Sequence, residues 1–212
     1  AVEWFFKQGC SLVILACNTA SAKALRNIQQ LDLPNIGPDK RVLGVIRPSS
    51  EVLGQFSASH HLGILGTTGT VQSESYPIEL SKFAPEAKVF QQACPMWVPL
   101  IENGQHEAQG ADYFVKLYID QLFDQSPKID TVLLACTHYP LMEKTFQEAL
   151  GPEVKVYSQA NLVAESLADY LQRRPEFMGS GTQSKFITTG DAVSVSNKAT
   201  QFLRKKVTFE AA

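Results

Sequence analysis

The chain is poor in the features that mark disulfide-built, metal-built, nucleotide-binding or membrane proteins. It has four cysteines, Cys10, Cys17, Cys94 and Cys136, and no two of them form a C-x-x-C pair. That spacing gives no disulfide framework, and Ala1–Lys7 has no signal-peptide layout, so a reduced, cytoplasmic setting is expected. His60, His61, His106 and His138 match no zinc spacing, so no metal is expected. The turn Gly66-Thr67-Thr68-Gly69-Thr70 lacks the Lys-Ser/Thr ending of a P-loop, no G-x-G-x-x-G follows a strand, and no lysine is set for a pyridoxal Schiff base. No cofactor is therefore expected. No apolar run reaches the length of a membrane span. With 19 basic and 21 acidic residues the net charge is −2, which offers no basic field for nucleic acid. What is left is a small-molecule partner and an ordinary globular composition, long enough for one large domain or two small ones.

Strand-like and helix-like segments alternate along the chain. Strands are expected at 11–16, 41–46, 62–66, 88–92, 131–135, 154–157 and 185–188. Helices are expected at 20–31, 71–83, 108–123, from 141 to a stop at Gly151, and at 162–171 and 193–203. Residues 32–40, with Pro34, Gly37 and Pro38, read as a connector, and Pro48 closes the second strand. This alternation implies an α/β fold of parallel sheets with helices on both faces.

One feature repeats. Val13-Ile14-Leu15-Ala16-Cys17-Asn18-Thr19 is echoed by Val132-Leu133-Leu134-Ala135-Cys136-Thr137-His138. Each cysteine follows a run that reads as a buried parallel strand and precedes a helix start. The repeat suggests two similar α/β domains, with both cysteines beyond the carboxyl ends of strands and facing one another across a cleft. Two thiols on opposite sides of one stereocentre can trade the roles of base and acid, and helix N-termini favour their thiolates. A single such cysteine would read as buried and inert; the duplication argues for chemistry.

Neighbouring residues have open roles. His138 suits an acid, a partner for the thiol, a carboxylate ligand, or simply a helix cap. Glu102, in the turn Glu102-Asn103-Gly104, suits either the orientation of His138 or plain solvation. Asn18, Thr19 and Thr137 adjoin the cysteines as small hydrogen-bonding groups. Thr67 and Thr70 suit anion binding and helix capping equally.

The segments ACNTASA (16–22), GVIRP (44–48), LGTTGTVQSESY (65–76), ACPMWVPLIENG (93–104) and LLACTHYPLM (133–142) resemble the glutamate racemase family, in order along nearly the whole chain. TTGD at 188–191 is similar to that family's C-terminal region. Aspartate racemases resemble the first cysteine motif but usually carry Glu where His138 stands. The resemblance implies cofactor-free interconversion of L- and D-glutamate, supplying D-glutamate for peptidoglycan. On it, Cys17 and Cys136 are the acid/base pair, His138 and Glu102 assist, and Asn18, Thr19, Thr67, Thr70 and Thr137 bind substrate. It also implies two α/β domains, residues 1–43 with 158–212 and residues 44–157, with the site between them, and leaves a homodimer among the assemblies allowed.

The sequence departs from the family pattern twice. The family's Asp-Ser-Gly and Pro-Tyr-Gly segments do not occur before Cys17, so a chain beginning at Ala1 is expected to be N-terminally incomplete, with weak or absent activity and an unstable first domain. Ser158-Gln159-Ala160 stands where Asp-Ser-Ala is commoner, a change expected to touch packing more than chemistry. Two other readings stay open, a racemase of a related acid such as aspartate and a catalytically impaired binding or regulatory form of the same scaffold.

Overall fold

A computed structural model describes residues 1–179, 181 and 183–212. Ala1–Phe177 form one compact unit and Met178–Ala212 a second. The larger unit begins with α1 (Val2–Lys7), β1 (Leu12–Leu15), α2 (Asn18–Asn27), α3 (Leu33–Ile36) and β2 (Arg41–Gly44). It continues through α4 (Ile46–Leu53), β3 (His61–Gly66), α5 (Thr68–Gln72), α6 (Ser75–Phe83), β4 (Lys88–Ala93) and α7 (Trp97–Glu102). It ends with α8 (Gln109–Gln125), β5 (Thr131–Ala135), α9 (Glu143–Leu150), β6 (Lys155–Ser158) and α10 (Gln159–Arg173).

The fold is α/β, and every strand pairing among the described residues is parallel. β1 lies beside β2, with Leu12 opposite Arg41 and Leu15 opposite Gly44. A four-stranded sheet runs in the order β4-β3-β5-β6. Its middle strands are apolar without alternation because helices cover both faces; all five residues of β5 are buried. The main core joins Ile46, Leu53, Leu62, Ile64, Tyr76, Leu80, Leu133 and Ala135, and a smaller one beside β1 and β2 joins Phe6, Val13 and Val42. An aromatic wall flanks the main sheet. Trp97 stacks on Phe146 with ring centres 4.1 Å apart and meets the rings of Tyr139 and Tyr118 edge-on at 5.0 and 5.5 Å.

In the smaller unit, β7 (Ile187–Thr188) and β8 (Glu210–Ala211) pair in parallel, with α11 (Ala192–Leu203) between them in sequence. Asp191 caps α11 by accepting from the Ser194 amide at 2.7 Å.

Three local expectations are corrected. Pro48 does not end the β2 segment; it sits in the first turn of α4, where a missing N–H breaks no helical bond. The helix expected over 71–83 is two helices, because Glu74 takes a left-handed conformation, φ 55°, between α5 and α6. The connector at 32–40 contains the short helix α3, which carries Pro34 in its first turn. The stop at Gly151 is present, with φ 76°.

The burial pattern makes a direct forecast. Leu133→Ala, at a fully buried position, should cost about 2–5 kcal/mol and lower Tm by roughly 4–15 °C, whereas Ile14→Ala, at a 38% exposed position, should cost under about 1 kcal/mol. Equal costs in urea melts would show that the core has been misplaced.

Candidate active site

β1 and β5 each deliver a cysteine at the carboxyl end of the strand. Cys17 is exposed and forms the N-cap of the ten-residue helix α2, its carbonyl accepting from the Ser21 amide at 2.9 Å. Its thiol therefore stands at the positive end of a helix dipole. Cys136 is buried, one residue beyond β5. Burial pushes its thiol up to about 11; backbone amides of His138 and Tyr139 act against this, and charge on Cys17 adds to it.

His138 and Glu102 meet behind Cys136. His138 Nε2 lies 3.1 Å from Glu102 Oε1, while Nδ1 faces Cys136 Sγ at 3.9 Å and Thr137 Oγ1 at 3.4 Å. A carboxylate at Nε2 favours the proton on that nitrogen, which leaves Nδ1 of the neutral ring as an acceptor facing the thiol. Glu102 is the last residue of α7, and His138 lies just before the 3₁₀ turn Tyr139–Met142.

Near Cys17, the start of α2 meets the start of α5. Thr19 Oγ1 lies 2.7 Å from Thr67 Oγ1 and 3.3 Å from Thr70 Oγ1, and the last two are 3.1 Å apart. Thr67 also caps α5, accepting from the Thr70 amide. A methyl group added at Gly69 would come within 2.9 Å of Thr19 Cγ2, so the close approach of the two helices depends on a bare backbone there. Thr137 is exposed beside His138.

Asn18 is buried and fully engaged on one side. Its Nδ2 donates to Gln159 Oε1 at 2.6 Å, and its Oδ1 accepts from the Tyr76 hydroxyl at 2.7 Å. Gln159 and Tyr76 form the part of this neighbourhood that motif reading leaves without a role. A sequence signal for Gln159 does exist: a long polar side chain follows directly on a strand, where ligand-facing groups collect.

Among the described residues, no three His, Cys, Asp or Glu side chains are grouped to hold a metal ion, and no helix is long and apolar enough to cross a membrane.

The difference in burial predicts a difference in reactivity. With a thiol near 11, Cys136 is ionised to only about one part in a thousand at pH 8, so iodoacetamide should label Cys17 at least about tenfold faster. Labelling of Cys136 should climb as pH rises toward 11, because a raised thiol pKa delays the thiolate to higher pH. Peptide mass spectrometry across pH 7–10.5 measures both rates. Equal labelling at pH 8 would contradict the geometry.

Comparison with known proteins agrees with this architecture. Residues 3–167 match the family model described as Asp/Glu/Hydantoin racemase. The chain is 52% identical over 222 aligned positions to a glutamate racemase of Cereibacter sphaeroides, covering all of this chain and 80% of that protein. It is 47% identical to a glutamate racemase of Dinoroseobacter shibae, covering all of this chain and 79% of the relative. The crystal structure of glutamate racemase isoform RacE1 from Bacillus anthracis superposes with a TM-score of 0.87 at 30% identity, over all of this chain and 77% of that one. The chain therefore belongs to the Asp/Glu/hydantoin racemase family, as an amino-acid racemase of the glutamate racemase group.

Proposed function

We propose that this enzyme interconverts L- and D-glutamate by two-base proton transfer between Cys17 and Cys136, without a cofactor. The observation that carries the reading is the pair of thiols at two strand ends, with Cys136 backed by His138 and Glu102. In one direction the Cys17 thiolate takes the α-proton, and the Cys136 thiol gives its own proton to the opposite face. A C–H bond becomes an S–H bond on one side while an S–H bond becomes a C–H bond on the other. The enzyme is then poised for the reverse reaction.

The raised pKa of Cys136 suits it to hold a proton until the carbanion forms. In the reverse direction the Cys136 thiolate takes the α-proton and the Cys17 thiol returns its own. A resting Cys136 thiol reaches that state by passing its proton to Nδ1 of His138, oriented by Glu102, while Cys17 takes one from water. Asn18, Thr19, Thr67, Thr70 and Thr137 hold the substrate's carboxylates and ammonium group. Their hydroxyls and amides can donate to anionic oxygens without placing a positive charge beside the thiolates. In the cell the product D-glutamate enters peptidoglycan in the cytoplasm. The same proposal includes the division into residues 1–43 with 158–212 and residues 44–157.

Circular dichroism with L-glutamate and L-aspartate in parallel tests the substrate. The full-length protein should racemise glutamate and leave aspartate essentially unchanged; a preference for aspartate would overturn the assignment. Cys17→Ser and Cys136→Ser should each lower kcat by about 10²–10⁴-fold, each abolishing solvent-deuterium exchange from one enantiomer more than from the other. Either variant turning over within tenfold of the unmodified enzyme would end the two-thiol scheme. Glu102→Gln should lower kcat roughly tenfold to a hundredfold with little change in KM, because it removes the acceptor that sets the His138 tautomer.

A further inference from the structure

The Asn18 amide belongs to a closed chain of hydrogen bonds whose direction is set at its far end. Gln159 Nε2 carries two hydrogens and has three acceptors within reach, so one hydrogen goes to the Tyr76 hydroxyl and the other is shared between the Val45 carbonyl at 3.2 Å and Ser49 Oγ at 3.1 Å. Reversing the Gln159 amide would set its carbonyl against that of Val45, lone pairs facing lone pairs. The Val45 carbonyl cannot turn to relieve this, because Val45 is the N-cap of α4 and its carbonyl is aimed along that helix, while its amide is held by Ser21 Oγ at 3.3 Å. With Nε2 committed, Gln159 Oε1 is an acceptor, and Asn18 meets it with Nδ2.

The Tyr76 hydroxyl receives a hydrogen from Gln159 and spends its own on Asn18 Oδ1. Burial drives the Tyr76 phenol far above its ordinary range, so this donor keeps its proton at any working pH. Asn18, Ser49, Tyr76 and Gln159 are all buried, so water offers no competing partner.

We propose that Gln159 and Tyr76 are positioning residues that fix which end of the Asn18 amide is the donor beside Cys17. One Nδ2 hydrogen of Asn18 goes to Gln159, and the other remains for an oxygen of the substrate. In the reversed orientation Asn18 would turn carbonyl lone pairs toward an anionic ligand and repel it. The polarity runs from the Val45 carbonyl, through Gln159 and Tyr76, to the residue next to the first thiol. Ser158-Gln159-Ala160 thus has a part in substrate recognition rather than in packing alone. The inference rests on the glutamate racemase reading and on Asn18 touching the substrate.

A double-mutant cycle tests it. Tyr76→Phe removes one oxygen and keeps the ring; in the full-length enzyme it should raise KM for glutamate about fivefold to tenfold, with kcat changing far less. In an Asn18→Ala background the same substitution should add less than about twofold, because the group it acts through is gone. Gln159→Met, of similar length and unable to donate, should repeat the pattern. The same cycle read as D-glutamate affinity by calorimetry serves if Asn18→Ala turns over too slowly for kinetics.

Equal effects of Tyr76→Phe with and without Asn18 would overturn the proposal, since a merely structural role is additive. A fall in kcat at unchanged KM would overturn it as well. If the unmodified enzyme does not racemise glutamate, the functional reading itself falls, and this inference with it.

Discussion

The strand that carries Cys136 is buried over its entire length, and most of the site's chemistry follows from that constraint. Thr131 to Ala135 lie between β3 and β6, so the chain leaves the sheet with its next side chain still shielded from water. Desolvation disfavours a thiolate there and holds the proton in place. Cys17 comes off β1, in the two-stranded sheet, and is exposed at a helix start. Two thiols of one sequence pattern therefore stand in different surroundings. Among the described residues, a histidine and a carboxylate stand beside Cys136, the thiol that burial makes harder to ionise.

Polar contacts join the parts of the site, alongside the packing of Ala22 and Leu162 against the main core. The hydroxyls of Thr19, Thr67 and Thr70 form one junction, and the amides of Asn18 and Gln159 with Tyr76 form another. Such contacts are directional, and a buried polar group left without a partner is costly. They therefore define orientation more sharply than a greasy contact of the same area. The oily cores lie to either side, one built on Ile64 and Leu133 and the other on Val13 and Val42.

Much of this is legible in the sequence. Apolar runs such as Thr131–Ala135 announce buried parallel strands, and the echo between Cys17 and Cys136 announces two comparable strand ends. In sequence Glu102 suits either a partner for His138 or a solvated carboxylate, and the two side chains meet at 3.1 Å. Element boundaries were less accessible. Pro48 reads as a stop, yet in a first turn it removes no bond, and the break at Glu74 depends on a left-handed backbone that composition does not announce. Gln159 could not be joined to Asn18 by pattern, since the two are far apart in the chain and only the packing of α10 brings them together. Periodicity encodes faces; it does not encode which amide meets which.

The aromatic wall has a consequence for the contact between His138 and Glu102. Trp97 begins the short helix that ends on Glu102, and Tyr139 follows directly on His138. Ring contact between Trp97 and Tyr139, reinforced by Phe146, ties the two segments that present the carboxylate and the imidazole. Dissolved salt screens charge at half-exposed side chains such as these. It would leave their spacing intact, because that spacing is set by rings pressed together out of reach of ions. Two side chains mounted this way keep their alignment across changes in ionic strength.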